Sequence, residues 1–390
     1  MSTALAMNSL RDSSDSSPRT VGVSLTDGAS DMASKYINWS DRSVSTRVSV
    51  LRGHLLADRV HGERVERDKR HEGEAQEGRL GRQADDCSLA SLQAGPCSSS
   101  PLSPSFPPGF EPGRMLLNRR IIITGAGSGI GYATALLFAS QGARLVLCDL
   151  DGDKLQAAVD FIRNSGARTC VALEGDVTDE EYVQRVVSLA VEKFGGIDDL
   201  ILNAGFTWDG MLHKMSNEQW QAMLEVHVTA PRKMIKAAAP HMRDVAKAEI
   251  EKNGLAKPRS VLTVSSVSGM HGNAGQTNYA AAKAGVVGLT KALAKEWGPF
   301  NIRVNAVVFG HIKTRLTDDK QKGATIKYKG TDVQLGIPSA GSVGDVMSQL
   351  TALGRPGTSE EAAGAMLLVT SPYASYITGQ SIEVTGGGWM

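Results

Sequence analysis

The stretch TGAGSGIGYATALLFASQG, residues 124–142, decides the fold. Three isoleucines at 121–123 come directly before it and predict a buried strand, while its apolar second half predicts a helix. Gly125, Gly129 and Gly131 stand between the two, where a side chain would keep a ligand away from the backbone. Because the first N–H groups of a helix lack partners and carry partial positive charge, we expect this turn to bind a pyrophosphate.

From Met115 onward, apolar strand-like runs alternate with helical runs. Continuous apolar strands separated by helices indicate βαβ units and a parallel sheet covered on both faces. Right-handed crossovers then predict a doubly wound α/β sheet of about seven strands, a Rossmann fold. We expect strands at 120–124, 144–149, 169–173, 199–203, 260–265, 303–308 and 381–384, and helices at about 129–140, 153–165, 179–194, 217–239, 278–297 and 359–370.

Residues 1–114 differ in composition from the rest and are rich in Ser, Asp, Arg and Gly. Such a segment buries too little apolar surface to offset its ordering entropy, so we expect a disordered extension or leader before a single domain at 115–390. A transit peptide is one alternative, but aspartates at 12, 15, 27 and 31 argue against it, since such peptides are poor in acids. A second alternative is that Met115 is the true start of the protein and the residues before it are a leader.

Bulk composition excludes several classes of function. The formal net charge of the 390 residues is +1, which gives no electrostatic case for nucleic acid or an acidic membrane surface. The four cysteines form no CxxC pair, so we expect neither a disulfide framework nor a metal site. No apolar run is long enough for a membrane span. We expect a soluble protein, cytoplasmic, or organellar if the N-terminal segment is a transit peptide.

An acidic residue ends the strand that follows the glycine turn. Asp149 closes RLVLCD, eighteen residues after Gly131, and Leu150 follows it. A carboxylate at this position accepts hydrogen bonds from an adenosine ribose and repels a 2′-phosphate. The other interpretation of Asp149 is a plain strand-end carboxylate. The intact series of strand, glycine turn, helix, strand and acid favours NAD(H) over NADP(H).

Three polar residues have the spacing of an acid–base site. Hydride transfer to a ketone leaves an alkoxide, which needs a proton donor and a group that holds the carbonyl. Tyr279 and Lys283 are four apart on a predicted helix and share a face. A cation at about 4 Å, with an effective dielectric near 20, is worth roughly 4 kcal/mol, which would lower a phenol pKa from about 10 toward neutrality. Ser266 ends the strand SVLTVSS, at the edge where such sheets bind ligands.

These motifs together resemble the short-chain dehydrogenase/reductase family. The pattern TGxxxGIG at 124–131, the Asn203-Ala204-Gly205 triplet, Ser266 and the YxxxK pair carry the resemblance, which covers essentially all of 115–390. Within the family, residues 265–298 are most similar to bacterial-type 3-oxoacyl-acyl-carrier-protein reductases. The resemblance implies a dehydrogenase/reductase domain in which Ser266 holds the carbonyl, Tyr279 is the acid–base group and Lys283 activates it.

The resemblance also implies which residues contact the dinucleotide, and it implies no metal. Besides the glycines at 125, 129 and 131 and the carboxylate of Asp149, the expected cofactor-binding residues are Ser128, Ile130, Asp176, Val177, Asn203, Ala204, Gly205, Tyr279, Lys283, Gly310, Ile312 and Thr314. Asp176 and Val177 would contact the adenine. Ile312 and Thr314 would contact the nicotinamide carboxamide and the phosphates.

Two positions depart from the family pattern. His227 stands in the helix after the Asn-Ala-Gly triplet, where the family usually has an asparagine that holds a water for proton relay. It is either a buried structural histidine or the relay group itself, and we favour the relay. Phe309 replaces a proline before Gly310, and we expect no loss of function. His213 and His271 lie on predicted loops, where solvent exposure is the simpler expectation.

Three further segments bear on substrate and assembly. Residues 311–353 occupy the place of a substrate lid, and the charged segment at 241–260 lengthens the connection before the serine strand, where we expect it to be exposed. The last strand resembles one that packs across a two-fold axis in the family, which implies a homodimer or homotetramer. An acyl carrier protein would need a basic rim, for which Arg232, Lys233 and Lys236 are candidates.

The sequence therefore favours an NAD(H)-dependent oxidoreductase that interconverts a ketone and a secondary alcohol. A 3-oxoacyl thioester is the preferred substrate. A dehydrogenase of cyclic, steroid or polyol alcohols is the alternative within the enzyme class. A non-catalytic NAD(H)-binding regulatory or scaffold protein is the alternative from another class, against which the intact serine, tyrosine and lysine count.

Overall fold

A computed structural model of the chain describes residues 45–51, 54–60, 114–166, 169–337 and 351–389. The disorder predicted for 1–114 falls almost wholly outside these ranges. The exception is an antiparallel pair that the sequence analysis does not predict, formed by β1 (Ser45–Leu51) and β2 (His54–Val60). This pair belongs to a unit of its own, residues 1–96, and the α/β domain lies in the second unit, residues 97–390.

The α/β domain is a seven-stranded parallel sheet with helices on both faces. Across the sheet the strands run β11-β8-β7-β6-β3-β4-β5, so the order reverses between β3 and β6. The predicted doubly wound fold is confirmed. Its elements are β3 (Arg120–Thr124), α1 (Gly129–Ser140), β4 (Arg144–Asp149), α2 (Gly152–Asn164), β5 (Cys170–Glu174), α3 (Glu180–Phe194), β6 (Asp199–Leu202), α4 (Asn217–Leu224), α5 (Ala230–Ala239), α6 (Val245–Asn253), β7 (Arg259–Ser266), α7 (Val267–His271), α8 (Thr277–Trp297), β8 (Ile302–Phe309), β9 (Thr325–Tyr328), β10 (Thr331–Gln334), α9 (Ser359–Thr370) and β11 (Ser381–Val384).

The three isoleucines of β3 show why the sheet needs helices on both faces. Ile121 and Ile123 pack into the core that contains residues of α1, α2 and α9. Ile122 points the other way, into the core that contains residues of α3, α5 and α8. All three side chains are fully buried. Successive side chains of a strand alternate between faces, so an unbroken apolar strand is stable only between two helical layers.

Buried ion pairs fix the edge of the sheet where β3, β6 and β7 begin. Arg119 donates two hydrogen bonds to the fully buried carboxylate of Asp199, at 2.6 and 2.5 Å. Arg259, 1% exposed, donates two at 2.9 Å to Glu249 of α6. The segment 241–260 is therefore not simply an exposed extension: it is helical as far as Asn253 and packs back on the sheet through this pair.

The helix predicted at 217–239 is longer and less regular than expected. Two π-helical segments, Glu225–Thr229 and Pro240–Asp244, interrupt it and join α4, α5 and α6. The region predicted as a lid contains a second antiparallel pair, β9 and β10, that the sequence analysis does not predict, and residues 338–350 of it lie outside the described residues. Among the described helices none is long and apolar enough to cross a membrane.

Candidate active site

The glycine turn between β3 and α1 has the geometry that the sequence predicts. Gly125 and Gly129 have φ of +67° and +56°, a region that side chains rarely adopt. A Cβ added at Gly131 would lie 2.0 Å from the carbonyl oxygen of Gly125, so only glycine lets α1 approach the strand. Ser128 is the N-cap of α1, and its hydroxyl caps no backbone N–H of the helix. The turn therefore leaves backbone, not side chains, facing the cleft above it.

The Asn203-Ala204-Gly205 triplet forms the floor beside this turn. Asn203 donates side-chain hydrogen bonds to the carbonyl oxygens of Thr124 and Gly125, at 3.1 and 3.2 Å. The backbone N–H groups of Asn203 and Ala204 both donate to the Thr124 hydroxyl at 3.1 Å. These bonds join the ends of β3 and β6 at the point where the strand order reverses, which is where open α/β sheets bind ligands.

Asp149 lies at the end of β4 and holds the loop around it. The backbone N–H of Gly127 donates to Asp149 Oδ2 at 2.8 Å, and that of Asp151 donates to Oδ1 at 3.0 Å. The two interpretations of this residue are thus compatible. It is a strand-end carboxylate that orders the turn, and each oxygen retains acceptor capacity toward the cleft.

One cleft of about 590 Å³ brings the predicted site residues together. Every residue predicted to bind cofactor or to act in catalysis lines it, except Gly131, which lies beneath the turn. The cleft runs from Asp149 at the end of β4, past the glycine turn, to Ser266 at the end of β7 and Tyr279 at the start of α8. A dinucleotide fits this arrangement, because backbone lies open where phosphates would be and a carboxylate stands where a ribose would be.

Tyr279 and Lys283 lie one turn apart on α8, next to the end of β7. The ammonium of Lys283 donates to the carbonyl oxygen of Val264 at 2.8 Å and lies 5.5 Å from the centre of the Tyr279 ring. Ser266 faces the cleft, whereas the buried Ser265 points the other way and donates to the Lys283 carbonyl at 2.9 Å. The expected alternation between the two serines is present.

The expectation that Lys283 lowers the pKa of Tyr279 toward neutrality is not met in the polypeptide by itself. Burial raises the pKa of Tyr279 to about 12, although a hydrogen bond with Ser266 acts in the opposite direction. Burial also lowers the pKa of Lys283 to about 7, so near neutral pH the lysine carries only part of a charge. Burial is therefore the largest influence on both pKa values, whereas the spacing of the two residues in the sequence indicates only an attraction between their charges.

His227 lies in the π-helical segment after α4 and is 3% exposed. Its Nε2 is 2.8 Å from the carbonyl oxygen of Phe206, and because a carbonyl only accepts, this nitrogen carries the proton. Nδ1 is buried without a hydrogen-bond partner among the described residues. Burial, and secondly the charge of Lys283, hold the pKa of His227 well below 6.5. The histidine is neutral at physiological pH, with a free acceptor nitrogen.

Gly205 makes the space that His227 fills. A Cβ added at Gly205 would lie 2.3 Å from Cε1 of the imidazole. The histidine ring in turn meets the ring of Tyr279 edge to face. A glycine is therefore required at position 205 because a larger residue would clash with the imidazole, which the sequence alone does not reveal.

The hairpin of β9 and β10 forms part of the wall of the cleft. The ring of Tyr328 packs 5.3 Å from that of Phe206, centroid to centroid, and its hydroxyl donates to Glu225 at 2.8 Å. Lys329 donates to the same carboxylate oxygen at 2.7 Å. The side chains of Ile326, Tyr328 and Leu335 line the cleft. The hairpin therefore supplies an apolar wall that is anchored to the π-helical segment beside His227.

Sequence reasoning missed three polar residues of the cleft. Arg315 directly follows Thr314 and donates from Nη2 to Ser128 Oγ at 2.6 Å. Asp209 accepts a hydrogen bond from Gln276 at 3.0 Å. Both pairs bring together distant parts of the chain, so spacing alone gives no signal, although Gln276 stands only three residues before Tyr279.

The other singled-out residues have mixed outcomes. His213 and His271 are both exposed, as expected, although His271 is the last residue of α7 and its ring stacks on Trp389 at 5.4 Å. Lys233 is 16% exposed and donates to the Thr178 carbonyl at 2.6 Å, and neither it nor Arg232 or Lys236 lines the cleft. Among the described residues no cluster of His, Cys, Asp or Glu fits a metal ion.

Comparisons with known proteins agree with this geometry. Residues 119–325 match the family model for short chain dehydrogenases. The chain is 38% identical over 267 residues to the 3-oxoacyl-[acyl-carrier-protein] reductase FabG of Thermotoga maritima, which covers 68% of this chain and 96% of that protein. It is also 35% identical to the short-chain reductase protein NovJ of Streptomyces niveus. That alignment covers 68% of this chain and 92% of NovJ.

Solved structures agree as well. A short-chain dehydrogenase/reductase from Brucella melitensis, named a glucose/ribitol dehydrogenase, superposes with a TM-score of 0.58 at 29% identity over 71% of this chain and 98% of that one. A short-chain type dehydrogenase/reductase from Mycobacterium marinum gives the same TM-score and identity. The chain belongs to the short-chain dehydrogenase/reductase family and is an oxidoreductase that uses a nicotinamide cofactor.

Proposed function

We propose that this chain is an NAD(H)-dependent reductase of 3-oxoacyl thioesters. The observation that carries the proposal is the convergence of Ser266, Tyr279 and Lys283 in the same cleft that the glycine turn and Asp149 enter. Hydride transfer to a ketone requires a carbonyl holder and a proton donor beside a bound nicotinamide, and the hydroxyls of Ser266 and Tyr279 are suited to these two roles. The thioester is favoured by the named activity of the relatives, which are 3-oxoacyl-[acyl-carrier-protein] reductases at 34–38% identity.

Asp149 and Leu150 support NAD(H) as the cofactor. A 2′-phosphate beside the Asp149 carboxylate would meet a like charge, whereas the ribose hydroxyls of NAD(H) would donate to it. Among the described residues no lysine or arginine forms an ion pair with Asp149 that would offset this repulsion. Arg315 supplies a cation at the turn, where its guanidinium donates to Ser128, and we assign it to the cofactor phosphates.

Residues of the chain bind the substrate carbonyl and transfer the proton. The bound dinucleotide supplies the hydride. Ser266 donates a hydrogen bond to the substrate carbonyl, and Tyr279 donates a proton to the oxygen as it becomes an alkoxide. Because Tyr279 has a pKa of about 12 in the polypeptide by itself, it is fully protonated and ready to give that proton. Lys283, bonded to the Val264 carbonyl, stands behind the ring and returns a proton to the phenolate.

We assign the proton relay behind the lysine to His227. A relay needs a group that accepts a proton and passes it on, and the imidazole has one nitrogen bonded to Phe206 and one that lacks a partner among the described residues. Its low pKa keeps it neutral at rest, so Nδ1 is an acceptor. The asparagine usual at this position orders a water instead. Here Nδ1 accepts a proton from water and donates that same proton to the lysine after the lysine has protonated the phenolate, while the proton on Nε2 stays with the Phe206 carbonyl.

A polyol or other secondary-alcohol dehydrogenase is the second candidate. It is favoured by the similarity in structure to the Brucella melitensis protein, which is named a glucose/ribitol dehydrogenase. The same serine, tyrosine and lysine serve either reaction, so the two candidates differ in the substrate wall and not in the chemistry. An acyl carrier protein as partner, and a homodimer or homotetramer as assembly, belong to the first candidate.

The deciding experiment follows reduced-nicotinamide absorbance with the full chain and an acetoacetyl thioester, with NADH and NADPH in parallel. Consumption of NADH but not NADPH is the expected result. Preference for NADPH would keep the reaction and contradict the role of Asp149. Binding of NADH without turnover of the thioester, but with oxidation of a polyol by NAD, would replace the first candidate by the second. Binding without turnover of either class would favour a regulatory protein.

A further inference from the structure

A polar network lines part of the cleft, and it is built around Gln276. Its carbonyl oxygen accepts hydrogen bonds from Ser268 Oγ and Asn273 Nδ2, both at 3.0 Å. These two donors fix the orientation of the amide, so its NH₂ group points to Asp209 Oδ2, also at 3.0 Å. The network is thus ordered before any substrate arrives.

The backbone around Asp209 is held just as firmly. Gly210 N–H donates to the Gly275 carbonyl at 2.8 Å, and Asn278 donates from its side chain to the Trp208 carbonyl at 3.1 Å. Gln219 of α4 donates to the carbonyl of Asp209 itself at 3.3 Å. Since the loop is tied on three sides, the carboxylate occupies a fixed place in the cleft that also contains Tyr279.

One oxygen of this carboxylate has no partner among the described residues. Oδ1 of Asp209 is buried and accepts no hydrogen bond from them. Burial raises the pKa of Asp209, although the bond from Gln276 and the more distant charge of Lys320 act in the opposite direction. A buried acceptor without a donor is costly, so a water, an ion or a ligand group is expected to complete it.

We propose that Asp209 is a substrate-recognition residue, which accepts a hydrogen bond from an amide N–H or hydroxyl of a neutral substrate and excludes free 3-oxo acids. This inference rests on the proposed function and names the substrate class of that site. A thioester fits, because it carries no charge near the ketone and its cysteamine-like arm carries an amide N–H. A free 3-oxo acid would bring a second carboxylate into the cleft, where like charges at low dielectric repel strongly.

The test compares kcat/KM for three ketones with NADH: acetoacetyl-N-acetylcysteamine, the S-ethyl thioester of acetoacetate, and acetoacetate itself. The wild-type chain is expected to prefer the first over the second by about tenfold and over the third by about 100-fold. Asp209→Asn removes the charge and keeps the size of the side chain. Its kcat/KM for acetoacetate, divided by its kcat/KM for the N-acetylcysteamine thioester, should be about tenfold higher than in the wild type. Asp332→Asn, an exposed acid on β10 outside the cleft, should leave all three ratios unchanged.

The possible outcomes distinguish a recognition role of Asp209 from a purely structural role, and failure of this inference from failure of the proposed function. Unchanged ratios in a folded Asp209→Asn that binds NADH normally would overturn it, and Asp209→Ser carries the same expectation if the asparagine variant does not fold. If the wild-type chain reduces none of the ketones, the proposed function fails. The comparison then uses calorimetric binding of 3-hydroxybutyrate and 3-hydroxybutyryl-N-acetylcysteamine to the chain with NAD. If the ratio of the two dissociation constants favours the thioester in the wild type and falls in Asp209→Asn, the inference is supported. If the ratio is the same in both proteins, the inference is overturned.

Discussion

His227 and Tyr279 lie edge to face, with ring centroids 5.1 Å apart and planes at 86°. The contact joins the π-helical segment after α4 to the first turn of α8 and places a neutral imidazole against the phenol. His227 is buried and Tyr279 is half-buried at the cleft, and neither has a carboxylate as a hydrogen-bond partner among the described residues. Proton movement in this cleft therefore depends on side chains that the fold holds in place.

Replacing the phenol tests the first of these groups. Tyr279→Phe removes the proton donor and leaves the ring against His227, so kcat should fall by about 10²–10⁴-fold. The dissociation constant for NADH, measured by fluorescence titration, should change little. Tyr132→Phe, a matched change on α1 away from Ser266, should keep turnover. Normal turnover in Tyr279→Phe would contradict the proposed mechanism.

The relay role of His227 predicts a difference between two variants. His227→Leu removes both ring nitrogens, and kcat should fall by about 10-fold or more with little change in KM. His227→Asn restores a polar group that can order a water, and most of the activity should return. A merely structural histidine would give the opposite order, because leucine fills the space against Gly205 better than asparagine. Solvent isotope effects on kcat provide a second measurement, expected to increase in His227→Leu.

Lys283 should make stability depend on pH. Its pKa is about 7 in the folded chain and about 10.5 when unfolded, so the unfolded state binds more protons between these values. The free energy of unfolding therefore rises with pH through this window, and the penalty is complete below pH 7. Lys283→Met should be more stable than the wild type by up to about 4–5 kcal/mol at pH 6.5 and by much less at pH 10.

Thermal unfolding at several pH values checks this, with Lys291→Met as the control. Lys291 is an exposed residue of the same helix and should show no pH-dependent gain. An equal gain at both ends of the pH range in Lys283→Met would contradict a depressed lysine pKa. The same variant should lose turnover, so stability and activity would change in opposite directions.

The sequence predicts the sheet, and the positions of Ser266, Tyr279 and Lys283 at one cleft, because their signals are local. β3, β4 and β11 begin and end at the predicted residues, and Tyr279 and Lys283 share a helix face through their spacing. Asp209 and Arg315 escape prediction because their partners lie 67 and 187 residues away. The hairpin has a local signal, Lys329-Gly330 between two short alternating runs, but the scarcity of large apolar residues around it hides the two strands.

Arg315 should contribute to cofactor affinity. Its guanidinium donates to a neutral hydroxyl, Ser128, so its charge is available to the phosphates of a dinucleotide at the turn. Arg315→Gln should weaken NADH and ADP-ribose binding by about 10-fold, and the loss should shrink at high salt because the site is exposed. Lys313→Gln, two residues earlier and also exposed, is the control. Selective loss of NADPH binding alone would place the arginine at the adenosine 2′ position instead.

The hairpin anchor should control substrate binding more than the chemical step. The hydroxyl of Tyr328 donates to Glu225, and its ring packs on Phe206, so the hydroxyl fixes the wall while the ring forms it. Tyr328→Phe keeps the ring and loses the anchor, and we expect KM for the thioester to rise several-fold with kcat nearly unchanged. Glu225→Gln retains an acceptor for the tyrosine but loses the ion pair with Lys329, which is largely exposed, so its effect should be smaller. Limited proteolysis should cut the hairpin faster in Tyr328→Phe than in the wild type, and a saturating thioester with NAD should reduce the difference. A fall in kcat without a change in KM would instead assign the tyrosine to the chemical step.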